Sequence, residues 1–127
     1  MKNFSSKLSA SQQAERLLPP QRRVKAVLDT DAYNEIDDQF AILYAMLSPE
    51  KIDLQAIYAA LFYNGRSSSP ADGMEKSYQE ILKICGLPGR DPEGFVFRGC
   101  RAPLEGPELP QESEAVNDLI RKARQAS

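Results

Sequence analysis

The sequence contains no histidine and no tryptophan, and it has only two cysteines, Cys85 and Cys100. Without histidine the chain lacks the commonest general acid or base and the commonest ligand for transition metals. The cysteines are too few for a disulfide framework and lack the spacing of a zinc site, which favours reduced thiols in a cytoplasmic protein. Any catalysis by this chain therefore has to use carboxylates, amides, hydroxyl groups or a hard metal ion.

The sequence also lacks an excess of positive charge and any long apolar segment. It has 16 basic and 18 acidic residues, for a formal net charge of −2. Proteins that bind nucleic acid or an anionic membrane usually carry a basic patch, and a membrane-spanning helix needs about 20 predominantly apolar residues. We therefore expect neither nucleic acid nor a membrane as a partner.

Strand-like and helix-like segments alternate along most of the 127 residues. Residues 1–22 are expected to form an arm with a short helix that ends before two prolines, and residues 23–127 an α/β domain. Hydrophobic periodicity predicts strands at 24–29, 52–61 and 95–97, and helices at 37–47, 74–85 and from 113 onward.

The predicted order, β-α-β-α-β-α, is typical of a Rossmann-like open parallel sheet with flanking helices. The helix at 37–47 is apolar nearly all round, which predicts that it is buried on more than one side.

The most informative segment runs from Asp29 to Asp38 and holds five carboxylates and an amide within ten residues. Asp29 and Asp31 come at the carboxyl end of the first strand, where open α/β sheets bind ligands. Asp37 and Asp38 open the next helix, whose dipole favours acidic side chains, so a structural role for that pair stays open. A cation would relieve the repulsion among these charges, and carboxylate oxygens suit calcium or magnesium.

The segment VLDTDAYNEIDDQFAI, residues 27–42, resembles the N-terminal signature of the inosine-uridine-type nucleoside hydrolases. In that family an apolar strand is followed by Asp-x-Asp, a short loop, and an Asp-Asp pair that opens a helix. Weaker similarity continues through AIYAALFYNG, FRGCRAPLE and ESEAVNDLI, so that it covers residues 23–124. The resemblance implies an enzyme that hydrolyses the N-glycosidic bond of a ribonucleoside with a calcium-bound water.

The resemblance also implies roles for polar side chains in calcium binding, ribose binding and ligand orientation. Asp31 would bind calcium and act as the general base, and Asp38 would be a second calcium ligand. The remaining candidates would be Asp37, Asn34 and Asn64 as ribose contacts, and Asp29 as a residue that lies behind the ligands and orients them. Because Asn-Gly is also a common turn pair, a structural role for Asn64 stays open.

Two features depart from the family pattern. The commoner family loop, Asp-x-Asp-Pro-Gly-x-Asp-Asp, has three residues between its acidic pairs, whereas this chain has five, Ala32 to Ile36, and no Pro-Gly. Family members are also more than twice as long, and their later part supplies further calcium ligands and, in many members, a histidine for the leaving base. We therefore expect a truncated nucleoside hydrolase fold in which calcium binding is weak and turnover negligible.

Two other hypotheses stay open. A haloacid dehalogenase-type phosphatase also places Asp-x-Asp after an apolar strand, with magnesium and with Asp29 as the nucleophile, although Ala32-Tyr33 then stands where a small pair is usual. The chain could instead be a non-catalytic remnant of the hydrolase fold. In that case an exposed sheet edge and an uncovered apolar face would favour self-association into a homo-oligomer.

Overall fold

The structure is a computed structural model that describes residues 8–125, so the first seven residues of the predicted arm lie outside this range. The helices and strands of this range, in chain order, are α1 (Ala10–Arg16), β1 (Val24–Thr30), α2 (Ile36–Met46), β2 (Ile52–Ala59), α3 (Pro70–Gly86), β3 (Val96–Arg98) and α4 (Glu114–Gln125). After α1, which has no buried residue, the predicted β-α-β-α-β-α order is confirmed. No helix in this range is both long and apolar enough to cross a bilayer.

The three strands form one parallel sheet in the order β1-β2-β3. β1 and β2 are paired along their whole lengths, with one register shift after Ala26, and the short β3 pairs with the end of β2. Because all three strands are parallel, the loops that follow β1 and β2 emerge at the same edge of the sheet. This arrangement confirms the predicted Rossmann-like α/β class.

The main hydrophobic core lies between the sheet and the helices α2 and α3. Ile57 of β2, Ile42 of α2, and Met74 and Ile81 of α3 belong to one cluster and are almost completely buried. The apolar stripe predicted for α3 therefore faces the sheet. The helix begins at Pro70, where the missing proline N–H costs nothing because the first helical N–H groups have no partner within the helix.

Within residues 8–125, α4 packs on the other face of the sheet, against β2 and β3. The Tyr58 hydroxyl of β2 donates to the buried Asp118 carboxylate of α4 at 2.8 Å, and Asp118 also accepts hydrogen bonds from Arg121 and Lys122. A buried carboxylate is tolerated only when paired in this way. This contact holds α4 over β2. The same face of β1 is covered only in part, because Val27 is 36% exposed and lines a cavity beneath α4.

Helix α2 differs from its prediction. Ile42 is fully buried, but Ile36, Phe40, Tyr44 and Leu47 are each between 66% and 72% exposed. The prediction of burial on more than one side is therefore wrong for residues 8–125, because α2 packs on the sheet and α3 by one flank only. We refer to the four exposed side chains as the α2 stripe.

Gly73 brings the first turn of α3 against the backbone of the loop after β2. A Cβ atom at this position would lie 2.0 Å from the carbonyl oxygen of Phe62, so Gly73→Ala forces the two segments apart. We expect Gly73→Ala to lower the free energy of unfolding by about 1–3 kcal/mol, measured by urea denaturation. Gly86→Ala is the matched control, since no atom lies within 4 Å of a Cβ there. Equal stability of the two variants would contradict this packing.

The Glu75–Arg98 ion pair joins α3 to β3 and makes stability dependent on pH. Arg98 donates to the two carboxylate oxygens at 2.8 and 3.0 Å, and these bonds, with one from Gln79, lower the pKa of Glu75 from 4.5 to about 2. The stabilisation is complete above pH 4.5 and is lost as the pH falls towards about 2.

We therefore expect Glu75→Gln to be less stable than the wild type at pH 7 and to lose less stability between pH 5 and about pH 2. Urea denaturation at a series of pH values measures this slope. Glu105→Gln, at an exposed position, is the control and should keep the wild-type slope. An unchanged slope in Glu75→Gln would show that this ion pair does not contribute.

Candidate functional site

The loop after β1 is shaped by hydrogen bonds between its own polar groups. The backbone N–H of Asn34 donates to the carbonyl oxygen of Asp31 at 2.7 Å, and Nδ2 of Asn34 donates to Oδ2 of Asp31 at 2.9 Å. Ala32 between them is fully buried in the main core and anchors the loop. The loop between the two acidic pairs therefore begins with a closed turn that holds two of the candidate residues together.

Asn64 connects this loop to the one after β2. Its Nδ2 donates to Oδ1 of Asn34 at 2.6 Å, and its Oδ1 accepts from the backbone N–H of Arg66 at 2.9 Å. Asp31, Asn34 and Asn64 thus form one hydrogen-bonded series across two neighbouring strand ends, which we call the amide chain. Three of the six candidate residues are brought together in it.

Two cations that the sequence analysis did not name brace the amide chain. The guanidinium of Arg66 donates to the backbone oxygen of Asn34. Lys76 on α3 donates to the backbone oxygen of Arg66 at 2.8 Å and forms an ion pair with Asp72 at 2.9 Å, and the hydrogen bond from Lys76 lowers the pKa of Asp72. The spacing of Asp72 and Lys76, four residues apart on a helix, signals that ion pair, but no pattern in the sequence singles out Arg66.

Asp38 is held at the end of β1 by a different contact. One of its carboxylate oxygens accepts a hydrogen bond from the hydroxyl of Thr30, the last residue of β1. Thr30 is buried, so its hydroxyl needs a partner within the protein. Asp37, the residue before, is exposed, and no described contact brings it to the amide chain.

Asp29 lies on the opposite face of the sheet from Thr30, because successive side chains of a strand alternate between faces. It lines a cavity of about 280 Å³ beneath α4, together with Val27, Tyr58 and Cys100. Burial raises the pKa of the Asp29 carboxyl, and the charge of Asp31 raises it further. Asp29 is therefore near Asp31 but separated by the sheet from the side on which Thr30 meets Asp38.

Among the described residues, the carboxylates of this region do not lie together in a group of three or more. Within residues 8–125 there is no group of three or more Asp, Glu, His or Cys side chains that could hold a metal ion. Asp31 and Asp38 each use one carboxylate oxygen in a side-chain hydrogen bond and have a second oxygen to offer a hard cation. Since calcium takes about six to eight oxygen ligands, these residues can supply only part of a calcium site.

Aromatic side chains lie beside the amide chain. The rings of Tyr33 and Phe62 are stacked with centroids 6.4 Å apart and an angle of 18° between their planes. Tyr33 remains 41% exposed, and Nζ of Lys76 lies 5.9 Å from its ring centroid. The exposed part of the Tyr33 ring offers an apolar surface next to polar groups, a combination that suits a ligand with a sugar and a planar ring.

No family model matches the sequence, and neither a curated protein nor a solved structure matches the chain. The fold defines the class as an α/β protein with a Rossmann-like open parallel sheet. Support for a particular activity therefore comes from the residues at the edge of that sheet.

The hydroxyl of Thr30 fixes the position of Asp38, and this can be tested by substitution. Thr30→Val removes the donor while keeping the shape of the side chain, and we expect a loss of about 1–3 kcal/mol in the free energy of unfolding because a part-buried carboxylate loses its partner. Thr30→Ser keeps the hydroxyl and serves as the control. If urea denaturation gives the same free energy of unfolding for Thr30→Ser and Thr30→Val, the hydroxyl does not hold Asp38.

Proposed function

We propose that this chain carries the ribose-binding part of an enzyme that hydrolyses the N-glycosidic bond of ribonucleosides. The observation that carries the proposal is the amide chain, which joins the loops after β1 and β2. Open α/β sheets bind their ligands at this edge. Carboxylate and amide groups together can accept from and donate to the vicinal hydroxyls of a ribose. The resemblance of residues 27–42 to the nucleoside hydrolase signature supports the same activity.

The proposed reaction passes through an oxocarbenium-like state, which needs a nucleophilic water and a firmly held sugar. The half-buried carboxylate of Asp31 would accept a proton from the attacking water, and Asn34 and Asn64 would bind the ribose hydroxyls. Their mutual hydrogen bonds hold these groups in place before the substrate arrives, which reduces the cost of ordering them. The exposed part of the Tyr33 ring would pack against the base.

Calcium belongs to the proposal. Asp31 and Asp38 would hold the ion through their second carboxylate oxygens, and a bound calcium would lower the pKa of a water and help to bind the sugar hydroxyls. The remaining oxygen ligands would come from water, from the ribose, or from groups outside the described residues. We therefore expect weak binding by this chain. The ribose contact of Asp37 and the orienting role of Asp29 stay predictions, as does a cytoplasmic location.

The competing hypotheses lead to different outcomes in an assay. A non-catalytic remnant would keep the sugar site and lack turnover. A phosphatase with Asp29 as nucleophile would need that side chain among the ligating groups, whereas it lies under α4 on the other face from the Thr30–Asp38 contact.

The test is a calcium titration followed by thermal unfolding, with and without inosine, uridine or ribose. At a tenfold excess over the dissociation constant we expect the melting temperature to rise by about 4–6 °C. The rise should be larger with the sugar present, and Asp31→Asn and Asp38→Asn should each abolish it. Release of ribose from inosine or uridine by the wild type, lost in Asp31→Asn, would establish the hydrolase activity, and a sugar-dependent rise without release would indicate the remnant.

Asp91→Asn is the matched control. Asp91 is exposed and precedes β3, so it lies at the opposite edge of the sheet and should leave the thermal shift unchanged. No shift at millimolar calcium and sugar, or a shift that survives Asp31→Asn, would contradict the proposed site.

A further inference from the structure

The outer side of β1 has no neighbouring strand within residues 8–125. The N–H of Val24 and the C=O of Thr30 are hydrogen-bonded on the β2 side, to residues that flank β2. Because backbone groups alternate in direction along a strand, Lys25, Val27 and Asp29 direct their N–H and C=O groups to the open side. An edge strand with free backbone groups is a template for pairing with another strand.

We propose that a second copy of this chain occupies this edge, with the two β1 strands antiparallel about a two-fold axis at Val27. In this register Val27 lies opposite Val27 of the second copy, and Lys25 lies opposite Asp29 of the second copy. All of these positions direct their backbone groups outward, so each pair exchanges two hydrogen bonds. The result is a continuous sheet with the order β3-β2-β1-β1-β2-β3.

The charges on β1 favour this register over its neighbours. Lys25 and the partly exposed Asp29 lie at equal distances on either side of Val27, on the face of the sheet that α4 covers only in part at β1. Pairing centred on Val27 therefore forms two pairs of opposite charges, because Lys25 of each copy lies beside Asp29 of the other copy. Pairing centred on Lys25 or on Asp29 would put like charges opposite each other, which is unfavourable. The strand is thus complementary in charge to a second copy of itself, as a two-fold interface requires.

The α2 stripe lies outside this interface. Asp38 of α2 accepts a hydrogen bond from Thr30 of β1, so Asp38 marks the side of the helix that faces β1. With 3.6 residues per turn, Phe40 and Leu47 lie on the side of the helix opposite Asp38. A two-fold axis normal to the sheet puts both α2 helices on the same face, one on each side of the axis, and the two β1 strands make the contact between the copies.

The outer side of β1 has no partner strand within residues 8–125, and the self-complementary charges of Lys25 and Asp29 favour a second copy as its occupant.

Charge exchange tests the register. Analytical ultracentrifugation of the wild type over a concentration series should show a monomer–dimer equilibrium. Lys25→Glu and Asp29→Lys should each raise the dissociation constant at least about tenfold, because each puts like charges opposite each other twice. The double variant Lys25→Glu/Asp29→Lys should return to within about threefold of the wild type. The proposal would be overturned if the wild type stayed monomeric at all concentrations, or if neither single substitution changed the dissociation constant of the dimer. It would also be overturned if the double variant did not recover the wild-type dissociation constant.

A cross-link tests the geometry independently of affinity. Residues of a hydrogen-bonded antiparallel pair have Cα atoms about 5.5 Å apart, within the range of a disulfide. In a Cys100→Ser background, Val27→Cys should give a disulfide-linked dimer under mild oxidation. Gln79→Cys, exposed on α3, should not, and circular dichroism would verify that both variants fold. Equal cross-linking of the two, or none at position 27, would overturn the proposed edge pairing.

Discussion

The parallel pairing of β1 with β2 is the constraint on which the rest of the structure depends. It brings the loops after the two strands to one edge of the sheet, so that Asn34 and Asn64, thirty residues apart, can share a hydrogen bond. The pairing also fixes the strand end at which the hydroxyl of Thr30 meets Asp38. Without this register the polar side chains of the two loops would be separate, with no hydrogen bond between them.

Within this frame, electrostatics and hydrogen bonding decide which acidic residues act together. Asp31 is tied to an amide and Asp38 to a hydroxyl, whereas Asp29 is turned to the opposite face, where burial and the charge of Asp31 raise its pKa. The five carboxylates of the segment are therefore distributed over two faces and a helix end. This division lowers their mutual repulsion and leaves two of them with an oxygen available for a cation.

Periodicity was sufficient to predict the α/β class and the order of the elements, because the alternation of strands and helices is a local property of the chain. The position of Asp31 and Asn34 at the strand end could likewise be predicted from the sequence. The contacts of Arg66 with the amide chain could not be predicted, because they depend on a loop conformation that no residue spacing encodes. The exposure of the α2 stripe was missed for another reason: an apolar pattern shows that a surface needs a partner, but not whether residues 8–125 provide it.

The central claim is that the amide chain binds a ribose. Two-dimensional ¹⁵N NMR observes the side-chain amide groups of Asn34 and Asn64 directly, and a titration with ribose in the presence of calcium measures their response. The account predicts that both NH₂ signals move together and saturate with one dissociation constant, while the side-chain amide of the exposed Gln79 on α3 stays unchanged. Signals from Asn34 and Asn64 that do not respond, or that move no more than that of Gln79, would contradict it.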